Sequence, residues 1–381
     1  MNIFRAYRFR MYPTEKQMIQ INKTFGCTRY VYNHFLEEKK KEYEMTGKSK
    51  SAYGMNKELT ILRKEYDWLK EIDVCALQAS VFAVDDAFKG FYNGKGYPRF
   101  KCKGKHDSYK INNVKNIYKS KSYESIRLDL KNKVITLPKL KDVKIRGYRN
   151  EKYILGDIKS ATIAKEANRY YVSVLVEERI YAPTITPSSI VGMDLGIKDM
   201  IVTSNNEKIK NTINIKEKRL KGLQKYLSRK VKGSKNYNKI KIKIQRLYLK
   251  IKTARKHLIH DITNKLIEEN DIIVTENLDV KSMYQEHNIA KHLNKNPLGE
   301  IIRVLKYKSL WKGKKVIQID KYYPSSQICN ICDYKNKEVK DLSVRNWECP
   351  RCHRVHDRDI NASINIMFEG VKLYMRELEQ A

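Results

Sequence analysis

No stretch of this 381-residue chain approaches the roughly 20 consecutive apolar residues that a helix needs to cross a bilayer. Residues 1–6, MNIFRA, contain no apolar leader core, so neither an anchor nor a secretion signal is expected and the protein reads as cytosolic. Acids are scarce: 43 Asp and Glu stand against 78 Lys and Arg, a formal net charge of +35. Between residues 208 and 257 the sole acid is Glu217. An excess of this size repels itself in a compact protein unless a polyanion neutralises it, so nucleic acid is the expected partner. An AT-rich genome would inflate Lys, Ile, Asn and Tyr, yet it would not explain why acids fail to keep pace. Cysteine is also sparse, and Cys27, Cys75 and Cys102 are scattered and odd in number, which argues against a disulfide framework. The sequence shows no internal repeat and no low-complexity tail. At 45.0 kDa it is long enough for two or three domains with real cores.

The remaining four cysteines are organised. Cys329-x2-Cys332 and Cys349-x2-Cys352 form two knuckles, each able to supply two thiolates from one tight turn, at the spacing of a four-cysteine zinc ribbon. Redox C-x-x-C chemistry would not normally come as a matched pair. His353 and His356 are alternative ligands that nothing requires. A closed four-thiolate site folds its module and does no chemistry, so one structural Zn²⁺ is expected.

Periodicity divides the chain. Tyr7, Phe9 and Met11 alternate with Arg8, Arg10 and Tyr12 up to Pro13, which reads as a strand. Thr14 and Gln17 then form a capping box. Residues 15–92 are mostly helical, with breaks near Gly47 and Gly54, and residues 75–88 place Leu77, Val81, Val84 and Phe88 on one face. Short alternating runs follow at 125–128, 134–137, 143–145, 160–164 and 170–176. The expected architecture is multidomain α+β. Residues 1–13 and 94–182 form a β-barrel, and 14–93 a helical bundle inserted into it. Residues 183–189 are a linker, 190–323 and 357–381 an RNase H-like α/β domain, and 324–356 an inserted zinc ribbon. In the second half, 190–197, 272–276 and 315–320 read as buried strands and 200–204 as a hairpin partner. Basic helices run from 216 to 270, with ordinary apolar spacing at Ile240, Ile244, Leu247 and Ile251, and a final helix starts about Ile360.

Three carboxylates stand at element ends where burial is costly without a cation. Asp194 follows a Val-Gly pair in the first strand of the second half and precedes Gly196, Glu276 ends the next strand, and Asp359 opens the final helix. Converging, they could hold two Mg²⁺ about 3.5–4 Å apart, the arrangement that cleaves phosphodiesters. Asp357 is the alternative to Asp359. The D-L-G of Asp194–Gly196 also suits actin-like ATPases, but residues 320–324, DKYYP, are not their second Gly-rich loop. Tyrosines interleaved with basic residues (Tyr7, Tyr12, Tyr30, Tyr32, Tyr97, Tyr109) suit base stacking, although most read as core. A tyrosine nucleophile for strand transfer lacks its His-x-His metal pair, since His257 and His260 are not so spaced.

These residues together resemble the TnpB family, the nucleases encoded beside transposases in bacterial and archaeal insertion sequences and related to type V CRISPR effectors. The likeness runs from YRFRMYPT (7–14) and AFKGFY (87–92) through VGMDLG (191–196), ENL (276–278) and YPSS (323–326). It ends with the cysteine pairs and HDRDINA (356–362). It implies a Mg²⁺-dependent, RNA-guided endonuclease that cuts double-stranded DNA beside a short adjacent motif. Asp194, Glu276 and Asp359 would be the metal triad of a RuvC-like domain. The barrel would be a wedge holding guide RNA from the transposon's own end, and the protein would act in a prokaryotic nucleoid; its oligomeric state stays open, although a basic single chain with its own cleft could act as a monomer. The resemblance also suggests that Gln78 faces the adjacent motif, because Gln can pair bidentately with adenine. The alternatives are an RNA-guided regulator that binds without cutting, and a transposase that joins strands itself.

Overall fold

A computed structural model describes residues 1–118, 121–147, 154, 156–181, 183, 186–213, 217–278, 285, 296–341 and 343–380. Part of the expected linker and the expected helix start at residue 216 lie outside the described residues. Contacts divide the chain into two compact units, Met1–Ile180 with Tyr226–Arg246, and Tyr181–Lys225 with Leu247–Ala381.

In the first unit, β1 (Asn2–Tyr12) leads into α1 (Glu15–Thr46), α2 (Ala52–Glu65), α3 (Asp67–Lys70) and α4 (Val74–Tyr92). The strands β2 (Ser108–Asn112), β3 (Lys115–Tyr118), β4 (Lys121–Glu124), β5 (Arg127–Asp129), β6 (Val134–Leu137), β7 (Lys141–Arg146), β8 (Asp157–Glu166) and β9 (Arg169–Arg179) follow. The expected capping box is present: Gln17 N–H donates to Thr14 Oγ1, and Thr14 N–H donates to Gln17 Oε1. Alternation in β1 buries Tyr7, Phe9 and Met11 against β-sheet and helix side chains in one core, which also takes in Leu77, Val81 and Val84 of α4.

The seven-stranded sheet has the order β2-β8-β9-β1-β7-β6-β5. Where the sequence suggested a barrel, no ladder joins β2 to β5 among the described residues. The two edges meet instead just beyond the strands. Ser125 N–H donates to Val114 O, and the Asn113 side chain spans from Ile158 O to the Ile126 N–H. A side-chain amide does the bridging there in place of a ladder.

The second unit is built on β10 (Ile190–Asp194), β11 (Ile201–Thr203), β12 (Lys208–Ile209), β13 (Ile272–Thr275) and β14 (Lys315–Gln318). The basic α5 (Glu217–Ser228) and α6 (Lys235–Glu269) lie between β12 and β13 in the chain. Then come α7 (Leu298–Trp311), the short strands β15 (Asn346–Glu348) and β16 (Val355–Asp357), and α8 (Arg358–Glu379). The sheet order is β12-β11-β10-β13-β14, antiparallel through the first three strands and parallel from β10 to β14. A parallel sheet covered on both faces reads as continuous apolar runs, as IIVT in β13 does. One face, with Val191, Met193 and Ile273, packs on α6 and α7 through Ile259, Leu266, Ile301 and Leu305. The other, with Ile272, Val274 and Ile317, packs on Ile366 of α8.

Two glycine-mediated contacts seat α8. A Cβ on Gly192 would stand 2.0 Å from Ser363 O, and one on Gly370 would stand 2.3 Å from Val274 Cγ2. Backbone therefore lies on backbone at β10, and only glycine permits it.

At the opposite strand ends, Asp271 Oδ2 accepts from Ser188 N–H (3.0 Å), Ser188 Oγ (3.0 Å), Ser189 N–H (3.3 Å) and Ser189 Oγ (3.2 Å). This staple fixes the start of β13 against that of β10. No described helix is long and apolar enough to cross a membrane.

Candidate metal sites

The register carries the staple forward to the carboxylates. Ile190 pairs with Ile272 and Met193 with Thr275, so Asp194 and Glu276 emerge side by side at the carboxyl ends of adjacent parallel strands. Side chains alternate along a strand, which puts both on the face shared with Gly192 and Val274, the face covered by α8. Asp359 lies in the first turn of that helix. Burial, then the charges of Glu276 and Asp359, push the Asp194 carboxyl well above its ordinary range, with Arg358 opposing. Burial raises Glu276 too, against a hydrogen bond from Ser325 Oγ (2.7 Å) and the Arg358 charge. Arg345 Nη1 stands 3.4 Å from Asp359 Oδ2. Three residues remote in sequence thus share one electrostatic environment. Such mutual repulsion is what a divalent cation relieves, and the all-oxygen donor set suits Mg²⁺.

Asp357, the alternative ligand, is otherwise engaged. Its side chain caps α8 by accepting from Asp359 N–H and Ile360 N–H, both at 3.1 Å, and pairs with Lys208 at 2.6 Å. Burial raises its carboxyl, but Lys208 and the capped backbone bring it below the ordinary range. The final helix accordingly starts at Arg358, two residues earlier than its apolar pattern indicated, because a cap is a polar device that periodicity does not register.

The four cysteines form a tighter group. Their Sγ atoms all lie within 4.8 Å of one another, with Cys329 to Cys352 at 3.6 Å and Cys332 to Cys349 at 3.5 Å. Those are close to the edge of about 3.8 Å for a tetrahedron with Zn–S near 2.3 Å. No other group of three or more ligating side chains is gathered so closely among the described residues, the carboxylate trio included. The two knuckles repeat one geometry. Asp333 N–H donates to Cys329 O and His353 N–H to Cys349 O, while Cys329 N–H donates to Tyr334 O and Cys349 N–H to Arg354 O. Asp333 and His353 both adopt left-handed backbone, φ 58° and 56°.

The thiols ionise unequally. Burial opposes Cys349, yet backbone N–H groups bring it down to about 7, whereas its neighbours drive Cys332 up to about 12 against a backbone hydrogen bond at Tyr334. Four thiols that cannot all ionise unaided fit a cation that would ionise them together. His356 is buried, its Nε2 3.2 Å from Cys329 Sγ and its ring against Trp347.

Of the other candidates, Gln78 is exposed on α4. Tyr7, Tyr32 and Tyr109 are core residues, and burial pushes Tyr7 up to about 12. Residue reasoning gave no individual role to Ser325, Lys208, Arg345 or Asn365. Their signal is tertiary, apart from the YPSS run that holds Ser325.

The mixed α/β fold resembles that of a solved Cas12f1–sgRNA–target DNA complex, which matches at a TM-score of 0.60 with 13% identity, over 96% of this chain and 99% of that one. Three family models match: "Probable transposase" over residues 171–287, "Cas12f1-like, TNB domain" over 299–366 and "Helix-turn-helix domain" over 1–48. In the last span the structure holds a strand and one uninterrupted 32-residue helix instead of two helices and a turn. A Streptomyces pristinaespiralis protein named "Putative RNA-guided DNA endonuclease" is 30% identical over 96% of this chain and 89% of its own length. InsQ of Escherichia coli K12, of the same designation, is 30% identical over 97% and 93%. The chain belongs to the TnpB family.

Proposed function

We propose that this chain is an RNA-guided DNA endonuclease of a transposable element, cutting double-stranded DNA beside a short adjacent motif by Mg²⁺-dependent phosphodiester hydrolysis. The observation that carries the reading is the shared field of Asp194, Glu276 and Asp359, set by the β10–β13 register and by the seating of α8. Asp194, Glu276 and Asp359 hold the divalent ions, and Mg²⁺, when bound, supplies the positive charge that activates water and relieves the leaving oxygen. The sheet order supports an RNase H-like, RuvC-type domain over 190–323 and 357–381. The seven-stranded sheet and inserted helices, as wedge and recognition domains, hold guide RNA and its DNA hybrid, with Gln78 reading an adenine of the adjacent motif. Cys329, Cys332, Cys349 and Cys352 hold one structural Zn²⁺.

The test is cleavage by the chain purified with RNA from its own locus. Programmable cutting should need Mg²⁺ and fall below about one hundredth of the wild-type rate in Asp194→Ala. An unchanged rate in that variant ends the reading. One observation favours a guided regulator that binds without cutting: Arg345 and Arg358 already place positive charge on the carboxylates. Guide-dependent binding with intact target DNA in Mg²⁺ would select it.

A further inference from the structure

The segment 325–330 links the two metal sites. It has no regular secondary structure of its own apart from one isolated bridge at Ile328, so its backbone groups need partners from elsewhere. Two amides on one face of α8 supply them. Asn365 Nδ2 donates to Ser325 O (2.8 Å) and Ile328 O (2.6 Å). Asn361 Nδ2 donates to Ile328 O (2.7 Å), and its Oδ1 accepts from Asn330 N–H (3.0 Å). Asn361, Asn365 and Ser325 are 1%, 3% and 5% exposed. An apolar residue would cover the sheet at lower desolvation cost than a buried amide, so the amides are there to specify where this segment lies. Its first residue donates Ser325 Oγ to Glu276 Oε1, and Cys329, buried, follows four residues later.

We propose that Ser325 is a positioning residue for Glu276, and that Asn365, through the Ser325 carbonyl, keys it to α8, the helix that carries Asp359. The serine hydroxyl leaves one defined face of the carboxylate for a cation. The asparagine sets the spacing between Glu276 and Asp359, which arrive on different elements. The inference rests on the reading of Asp194, Glu276 and Asp359 as ligands of the divalent ions.

The test uses the full chain with its guide RNA, Mn²⁺ as an EPR probe, and cleavage rate against Mg²⁺ concentration. The Mn²⁺ signal that Asp194→Ala removes defines the site and discounts ions held by RNA. Ser325→Ala should weaken that Mn²⁺ about tenfold and raise the Mg²⁺ requirement by a similar factor, with zinc content and melting temperature unchanged. Ser325→Thr, which keeps the hydroxyl, should restore both. Asn365→Leu should reproduce the weakened Mn²⁺ although Ser325 is intact; should that variant not fold, the serine pair decides. Wild-type Mn²⁺ affinity and Mg²⁺ requirement in Ser325→Ala, beside an inactive Asp194→Ala, overturns the positioning role alone. Full cleavage by Asp194→Ala overturns both it and the reading beneath it.

Discussion

Asp271 touches none of the proposed ligands, yet it governs where two of them stand. Four hydrogen bonds from Ser188 and Ser189 and the Lys314 charge hold its carboxyl below the ordinary range. Charge-assisted hydrogen bonds contribute about 1.5–3 kcal/mol, so Asp271→Asn should destabilise the protein by about 2 kcal/mol at pH 7. The sign with pH follows from the lowered folded value. The contribution is complete above the unfolded pKa near 4 and fades as pH falls toward the folded one. Urea melts should therefore show the gap between wild type and variant narrowing from pH 7 to pH 3, and a constant gap would contradict the account. No sequence signal marks this aspartate. It follows a basic helical stretch as any loop acid would, and its serine partners are more than eighty residues away. Cys329 and Asp194 were legible for the opposite reason. Ligand spacing and a charge on an apolar strand are visible without a fold.

Among elements, α8 illustrates what pattern reading sees and misses. Its apolar spacing announces a helix, but the cap at Asp357 and the seating on β10 depend on groups that periodicity ignores. Gly192 reads in sequence as one more small strand residue. In the fold it is the point where a helix backbone meets a strand. Gly192→Ala should cost about 3 kcal/mol or more, because the Ser363 carbonyl belongs to a helix that cannot yield locally. Gly26→Ala, in the interior of α1 where an added Cβ meets nothing within 4 Å, should instead stabilise by about 0.5–1 kcal/mol. Chemical denaturation of both variants checks the pair, and equal effects would refute the packing argument. The strands β6 to β9 were likewise legible from alternation. The edge closure through Asn113 was not, because an amide bridging two strand ends has no period.

For the whole molecule, each unit has its own apolar core, while the cysteine module has little beyond Cys329, Val339, Trp347 and Cys349. So small a cluster cannot order the module unaided. Stripping zinc with a strong chelator at neutral pH, then removing the chelator and restoring Mg²⁺, should change Trp347 fluorescence and abolish cleavage, while the seven-stranded sheet keeps its melting transition. Unaltered fluorescence after complete zinc loss would show that the module folds without it. The net charge of +35 acts at the same scale, since it sets affinity for polyanions as a class and leaves sequence choice to whatever RNA is bound.

The close seating of α8 has a consequence for how the cell makes this enzyme. Strands β10, β13 and β14 leave the ribosome well before the helix that covers them, and nascent chains fold from the N-terminus onward. Until translation reaches that helix, one side of the sheet is bare and the third carboxylate has not been synthesised. A prematurely terminated product would leave the apolar face of Ile272, Val274 and Ile317 without its cover, open to solvent and to proteases.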